Sequence, residues 1–211
     1  MITTATPGLS IADDGRLYCS WRSELPQYQD YHDHEWGRPV HDDIRLFEKI
    51  CLEGFQSGLA WITILRKREA FRLAFDGFNF RKIACYDDND VNRLLGNAAI
   101  VRNRAKINAT INNARRACEL LEQTDSLATW LWQFAPAPGE RPALVTLDDW
   151  RTSTTSAASI RLSHALKQRG WRFVGPTTMH AFMQAMGLIN DHLVGCACHS
   201  EINEQREGQR R

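Results

Sequence analysis

Four residues, two near each end of the chain, carry donors for a soft divalent metal. Cys19 is followed thirteen positions later by His32, and His192 is followed by Cys196 with three residues between. Two thiolates and two neutral imidazoles make a closed tetrahedral zinc site with no open position for a reacting water. The His192–Cys196 spacing is the short one such sites use, whereas Cys19 and His32 close a longer loop than a standard finger. Joined, the two pairs would clip the first folded segment to the last. Against this stands the ordinary reading, in which Cys is a small buried hydrophobe and His a satisfied polar group. Cys198 and His199 lie close by and leave the ligand set open at this level.

A second group is Cys51-Leu52-Glu53-Gly54-Phe55-Gln56-Ser57-Gly58-Leu59-Ala60-Trp61, one acid amid apolar residues with two Gly and a Trp after it. Glu53 is either a surface charge at a helix end, the usual case, or a desolvated carboxylate in a pocket. With Tyr31 and the rings of Trp21, Trp36 and Trp61 nearby, the second case would make a slot for a base. Aromatic walls stack a purine, and a carboxylate accepts from its amine or ring N–H and favours a cationic purine. A stripe of Trp is more often core than ligand box.

A third group is basic. Leu94-Leu95-Gly96-Asn97-Ala98-Ala99-Ile100 reads as a helix and a short turn, and Arg102, Arg104 and Lys106 open the next helix. Backbone N–H groups of the turn at Gly96, at the positive end of a helix dipole, suit a phosphate, and the three cations add charge along the same strand. A helix-hairpin-helix grips DNA in this way without reading its sequence. The plain alternative is an ordinary helix hairpin with a solvated basic face.

These groups need a scaffold. The chain has 211 residues, 43% hydrophobic and 24% charged, the balance of an ordinary globular protein of one domain or two small ones. No run approaches a membrane span, and Met1–Gly15 lacks the basic start and apolar core of a signal peptide. A cytoplasmic protein is expected, in which the six Cys are thiols or metal ligands and not disulfides. The net charge of +1 argues against a bulk polyanion binder. Its distribution argues otherwise, because 100–116 and 151–190 each hold five Lys or Arg and no acid.

Helical periodicity dominates. Asp42-Asp43 can cap a helix through Ile44, Phe47, Ile50 and Cys51, ending near Gly54. Trp61, Leu65, Phe71 and Phe75 mark the next, and Asn79 caps a short one to Ile83. Another begins at Asp90 and is stopped by Gly96. The longest runs from about Asn103 to Glu122, with Ile107, Ile111, Ala114, Cys118 and Leu121 as its apolar stripe. Ser126 caps a helix to Phe134, Ser156 or Ser159 starts one that ends at Gly170, and Pro176 opens one closed by Gly187. Trp171 to Val174 is the only extended candidate. Residues 1–16 are expected to be a loose leader and 200–211 a polar tail, with one all-α domain over 17–199.

With these patterns in place, Tyr31-His32-Asp33-His34-Glu35-Trp36-Gly37 resembles a motif of the bacterial 3-methyladenine DNA glycosylase I family. Ile50-Cys51-Leu52-Glu53-Gly54 with Gly58-Leu59-Ala60-Trp61 is similar to its pocket segment, and Ile100-Val101-Arg102-Asn103-Arg104-Ala105-Lys106-Ile107 to its hairpin. Phe173-Val174-Gly175-Pro176 and Met183 through His192 continue the resemblance, which covers about Leu17 to His199. It implies an all-α helix-hairpin-helix glycosylase with one structural zinc on Cys19, His32, His192 and Cys196, leaving out His34, Cys198 and His199. It places the base-contacting acid on Glu53, its partner hydroxyl on Tyr31, the stacking ring on Trp61, further pocket walls on Trp21 and Trp36, and the duplex wedge on Leu59. The implied substrate is double-stranded DNA carrying N3-methyladenine, and the product is the free base. A monomer and no membrane are expected. The catalytic Asp of other helix-hairpin-helix glycosylases has no obvious substitute here. No Lys in the pocket stretches is positioned to form a Schiff base, so no lyase step is expected. Phe55 and Ser57 stand where the family usually has Gln and Ala, and the leader is longer than typical. Two rivals remain at this level: a DNA-binding module with a blocked pocket, and a zinc hydrolase with three ligands and a bound water.

Overall fold

The computed structural model describes residues 6–142 and 144–208. A short hairpin comes first: β1 (Leu9–Ile11) pairs antiparallel with β2 (Leu17–Cys19), with Leu9 opposite Cys19. Helices follow: α1 (Pro26–His34), α2 (Asp43–Gln56), α3 (Trp61–Ala74), the single turn α4 (Phe80–Ile83), α5 (Asp88–Gly96) and α6 (Arg104–Leu120). Then come α7 (Leu127–Trp132), α8 (Leu147–Thr152), α9 (Ala157–Gln168), α10 (Pro176–Ala185) and α11 (Ala197–Gly208). The fold is mostly helical, and among the described residues no helix is long and apolar enough to cross a membrane.

Local chemistry sets most helix starts. Asp42, Asn79, Asn103, Ser126 and Ser156 each accept a backbone N–H of the following turn, satisfying donors that have no partner inside the helix. Asp87 with Asp90, and Thr146 with Asp149, form reciprocal capping boxes. Asp90 is therefore inside the first turn of α5 and not its start. Pro26 and Pro176 open α1 and α10, where a missing N–H costs nothing.

Helix α2 is the axis of the main core. Every residue from Leu46 to Phe55 is buried, and α3, α6, α7 and α10 pack around the helix. A helix buried all round is normally apolar throughout. This one carries Glu48, Lys49 and Glu53 inside its buried run, so each needs a partner. A smaller core gathers Leu9, Tyr18, Cys19, Val145, Leu193, Cys196, Cys198 and Ile202.

Three expectations change. The leader is not loose at Leu9–Ile11, because β1 packs Leu9 into the small core. The polar tail continues α11, whose buried residues Cys198 and Ile202 tie it to the same core. Trp171–Val174 forms no strand, and Phe173 takes a left-handed φ of 57° beside α2.

Candidate active site and metal centre

The small core is built around the four expected metal donors. Cys19 at the end of β2, His32 in α1, and His192 and Cys196 before α11 are all buried, with one donor atom of each within 4.8 Å of the others. Cys196 Sγ lies 3.4 Å from His192 Nδ1 and 3.7 Å from His32 Nε2, and Cys19 Sγ lies 4.0 Å from His192 Nδ1. A tetrahedron with ordinary Zn–S and Zn–N bonds has S···N edges of about 3.6 Å. The remaining nitrogens are also spoken for. His32 Nδ1 meets Asp33 Oδ1 at 2.7 Å, and His192 Nε2 donates to the Trp36 carbonyl at 3.0 Å. Both contacts fix ring orientation and leave His32 Nε2 and His192 Nδ1 pointing into the cluster, as metal-binding His requires. Arg22 grips Asp33 through both oxygens, so the carboxylate stays below its ordinary range although burial pushes it up. These residues fit a zinc ion, with every ligand position filled by protein.

Cys198 stands beside His32 and Asp33 as a second possible grouping. His34 is exposed and bonds Asp30, which takes it out of the cluster. Gly37 explains the end of its motif: its φ is +83°, and a Cβ there would meet His192 Nε2 at 3.1 Å. Glu35, in the same motif, forms a two-armed pair with Arg68 of α3 at 2.6 and 2.7 Å.

The cluster forms the back of an aromatic wall. Trp36 packs on His192 with centroids 4.7 Å apart, and Trp21 on His32 at 5.0 Å. Trp21 and Trp36 meet edge to face at 4.9 Å. Their other sides line a cavity of about 430 Å³, together with Tyr31, Glu53, Trp61 and Trp150. Tyr28, Gln56, Thr177, His180 and Gln184 also line it. Glu53 is the only acid among the described lining residues, and the Nε1 atoms of Trp21, Trp61 and Trp150 have no hydrogen-bond partner. The cavity thus offers ring faces and one carboxylate.

Lys49, one helical turn before Glu53, was missed by sequence reasoning. Its Nζ lies 2.9 Å from Glu53 Oε1, donates to the Tyr31 hydroxyl at 2.7 Å, and sits 3.6 Å from the Trp61 ring centroid. So a lysine stands one residue before the pocket segment, held by its ion pair with Glu53. The i to i+4 spacing within α2 was the available signal. Because Lys49 donates to the Tyr31 oxygen, the Tyr31 proton is left to donate elsewhere. Burial, and then the charge of Glu53, push the Tyr31 hydroxyl well above its ordinary pKa, so it stays a donor. Burial pulls the Lys49 amine down while Glu53 pulls it back up.

The expected DNA-facing residues separate into two groups. Leu59, in the loop between α2 and α3, is 39% exposed. Gly96 ends α5 in open space, and Arg102 and Arg104 are exposed at the start of α6. Lys106 behaves differently. It is buried, and its Nζ donates to the carbonyls of Phe55 and Ser57 at 2.7 and 2.6 Å. A phosphate-facing role for Lys106 is therefore withdrawn. Its cation closes the carbonyl end of α2, where the helix dipole favours it. It also ties α6 to the loop that carries Leu59.

The match to known proteins now has a geometry to rest on. A family model described as Methyladenine glycosylase covers residues 21–199. The chain belongs to the methyladenine glycosylase family. It is 46% identical over 181 residues to DNA-3-methyladenine glycosylase 1 of Escherichia coli strain K12, covering 86% of this chain and 96% of that protein. A crystal structure of 3-methyladenine DNA glycosylase I agrees with a TM-score of 0.80 at 46% identity, covering 86% of this chain and 99% of that one. A variant of 3-methyladenine DNA glycosylase I in complex with 3-methyladenine agrees at 0.79 and 33% identity, covering 86% and 97%. Within the methyladenine glycosylase frame, the aromatic cavity is where Tyr31, Glu53 and Trp61 come together.

Proposed function

We propose that this methyladenine glycosylase family member hydrolyses the N-glycosidic bond of N3-methyladenine in duplex DNA, freeing the base and leaving an abasic site. The carrying observation is that Glu53 and Tyr31 converge in a cavity otherwise walled by Trp rings. Methylation at N3 makes the purine cationic, so it is a far better leaving group than adenine. The protein then needs to extrude the nucleotide, at a cost of a few kcal/mol of unstacking, and hold it. Leu59 is suited to fill the gap in the duplex. Trp61, Trp21 and Trp36 stack or enclose the ring. Glu53 accepts from the amine edge through Oε2, which makes no hydrogen bond within the described residues, and Tyr31 donates its remaining proton. Normal adenine is rejected partly because it leaves poorly and partly because it brings no charge to Glu53.

Cys19, His32, His192 and Cys196 are proposed to hold one zinc. With four protein ligands it supplies a cross-link between the ends of the fold, and no chemistry. This favours the glycosylase over a zinc hydrolase, and the open cavity disfavours a DNA module with a blocked pocket. The hairpin of α5 and α6 is proposed to grip the backbone through the turn after Gly96 and through Arg102 and Arg104. Each of Arg102→Ala and Arg104→Ala is expected to weaken binding to all duplexes alike and to reduce the slope of log affinity against log salt by about one. A loss confined to one sequence would contradict a backbone grip.

No lyase step is proposed, because Lys49 is held by Glu53 and Tyr31 behind the Trp61 ring. Methylated duplex treated with the protein should carry abasic sites in an uncut strand that breaks only on later alkali treatment. Direct strand breaks would contradict a monofunctional enzyme.

A further inference from the structure

Lys49 has no place in the reaction as derived so far, yet it touches three of the residues that define the base site. Its position is not one that stability alone selects. The helix-favouring order places Glu before Lys, and here Lys comes first. A buried ion pair also tends to add little over apolar residues of the same volume, because both ions lose their water. What the pair does is set the charge at the end of the cavity. Other charges nearby are already closed off. Glu35 is bound by both arms of Arg68, Glu48 is held by Arg72, and Asp191 is paired with Arg141. His180, across the cavity on α10, is drawn toward its neutral form by burial. The charge felt by a bound purine therefore comes from Glu53 and Lys49 together, and these sum to zero.

We propose that Lys49 is a specificity-determining residue: by occupying one oxygen of Glu53, its ammonium sets how strongly the pocket prefers a cationic purine over a neutral one. A lone carboxylate would select on charge above all. A carboxylate shared with an ammonium selects more on shape, stacking and hydrogen bonds. Lys49 acts through Glu53 and need not touch the ligand. It also supplies the donor that turns the Tyr31 hydroxyl proton outward, so neutral and cationic purines alike meet a fixed hydrogen-bonding edge.

The inference rests on the base-pocket reading above, and two probes separate the two. The first is 3,9-dimethyladeninium, a fixed cation with a methyl group in place of the sugar. The second is 3-methyladenine, uncharged at pH 8. Affinities for both are measured at pH 8 by quenching of Trp fluorescence. The proteins are the wild type, Lys49→Met, Lys49→Gln and Lys49→Arg, each checked to be folded at the assay temperature with the metal content of the wild type. The ratio of cation to neutral affinity is expected to rise at least about tenfold in Lys49→Met and Lys49→Gln, since one unit charge is worth up to roughly 1,000-fold at about 4 Å and less from the greater distance of Lys49. It should stay near the wild-type ratio in Lys49→Arg, which keeps the charge. Should Lys49→Met fail to fold, Lys49→Gln and Lys49→Arg carry the comparison. An unchanged or lowered ratio in Lys49→Gln would overturn the proposal, as would a rise of the same size in Lys49→Arg. Borohydride trapping of the wild type on methylated DNA, lost in Lys49→Gln, would overturn it too and make Lys49 a nucleophile. If the wild type binds neither probe, the base pocket itself is wrong; if it binds both and the ratio does not move, only the role of Lys49 fails.

Discussion

Replacing Glu53 by Gln is expected to lower kcat/KM on N3-methyladenine DNA by about 100-fold or more. A unit charge about 4 Å from a cation is worth roughly 4 kcal/mol at an effective dielectric constant near 20. The amide returns part of this as a hydrogen bond, and about 2.7 kcal/mol of net loss corresponds to a factor of 100. The change does more than remove an anion. It leaves the Lys49 ammonium beside the base site with no counter-ion, so the charge there goes from neutral to positive. Breaking a buried pair in this way costs about 3–5 kcal/mol of stability. Burial already pulls the Lys49 amine down, so losing its proton is one way to recover part of that cost. Combining Glu53→Gln with Lys49→Met should then restore the melting temperature but not the activity. Steady-state kinetics and thermal melts on the single and double variants check both parts. Equal activity in Glu53→Gln and the wild type would remove Glu53 from the mechanism.

The second large effect is on folding. Cys196→Ala or His192→Ala should lower the melting temperature by roughly 8–16 °C or leave the protein insoluble. The range corresponds to a loss of about 4 kcal/mol at about 2–4 °C per kcal/mol in a chain of this length, a modest share of the roughly 10–16 kcal/mol that a structural zinc can contribute. Metal analysis of the wild type should give about one zinc per chain, and X-ray absorption two sulfur and two nitrogen donors. Cys198→Ser should keep the metal, because Cys19, and not Cys198, is the proposed second thiolate. EDTA added during a short assay should leave turnover unchanged, since the cluster is buried and has no step in the chemistry. Its loss on longer exposure should follow unfolding. The Trp36 ring and carbonyl both contact His192, so loosening the cluster should also blunt the pocket wall. A protein that melts at the same temperature without metal would contradict the clip.

Local chemistry decided which parts of this molecule were legible before its structure. Asp42, Asn79, Asn103, Ser126 and Ser156 announce their helices because the cap is a bond between a side chain and its own next turn. Helix α11 was not legible for the opposite reason. Its sequence is polar, and it is held by Cys198 and Ile202 in a core assembled from both ends of the chain and by bonds to distant residues such as Arg38–Glu201 and Asn190–Asn203. Residues Leu9–Ile11 are too few to signal a strand, and gain their place from Cys19 and Leu193.

The site divides along the same line. Cys19, His32, His192 and Cys196 stood out as soft-metal donors, with Cys198 and His199 excluded only by the family resemblance, and Glu53 stood out as a lone acid in an apolar run. Lys106 could not be read correctly, because nothing in a basic helix start tells which cation turns inward to the carbonyls of Phe55 and Ser57. Trp150 reaches the cavity from α8, a helix of six residues far along the chain from Glu53. Its part in the wall is a matter of tertiary packing alone. Gly187 marks the same limit: its φ of +77° and the backbone of Arg38 and Pro39, which would lie within 2.6 Å of any Cβ there, show that the loop before His192 is pressed against the end of the α1 motif.

The most direct test is chromatography of the bases freed from methylated duplex DNA by the wild-type protein, intact and with its metal. Free 3-methyladenine should appear in step with the abasic sites and in equal number, with normal adenine retained in the strand. Release of no modified base, from a protein that is folded and binds the duplex, would contradict the glycosylase assignment.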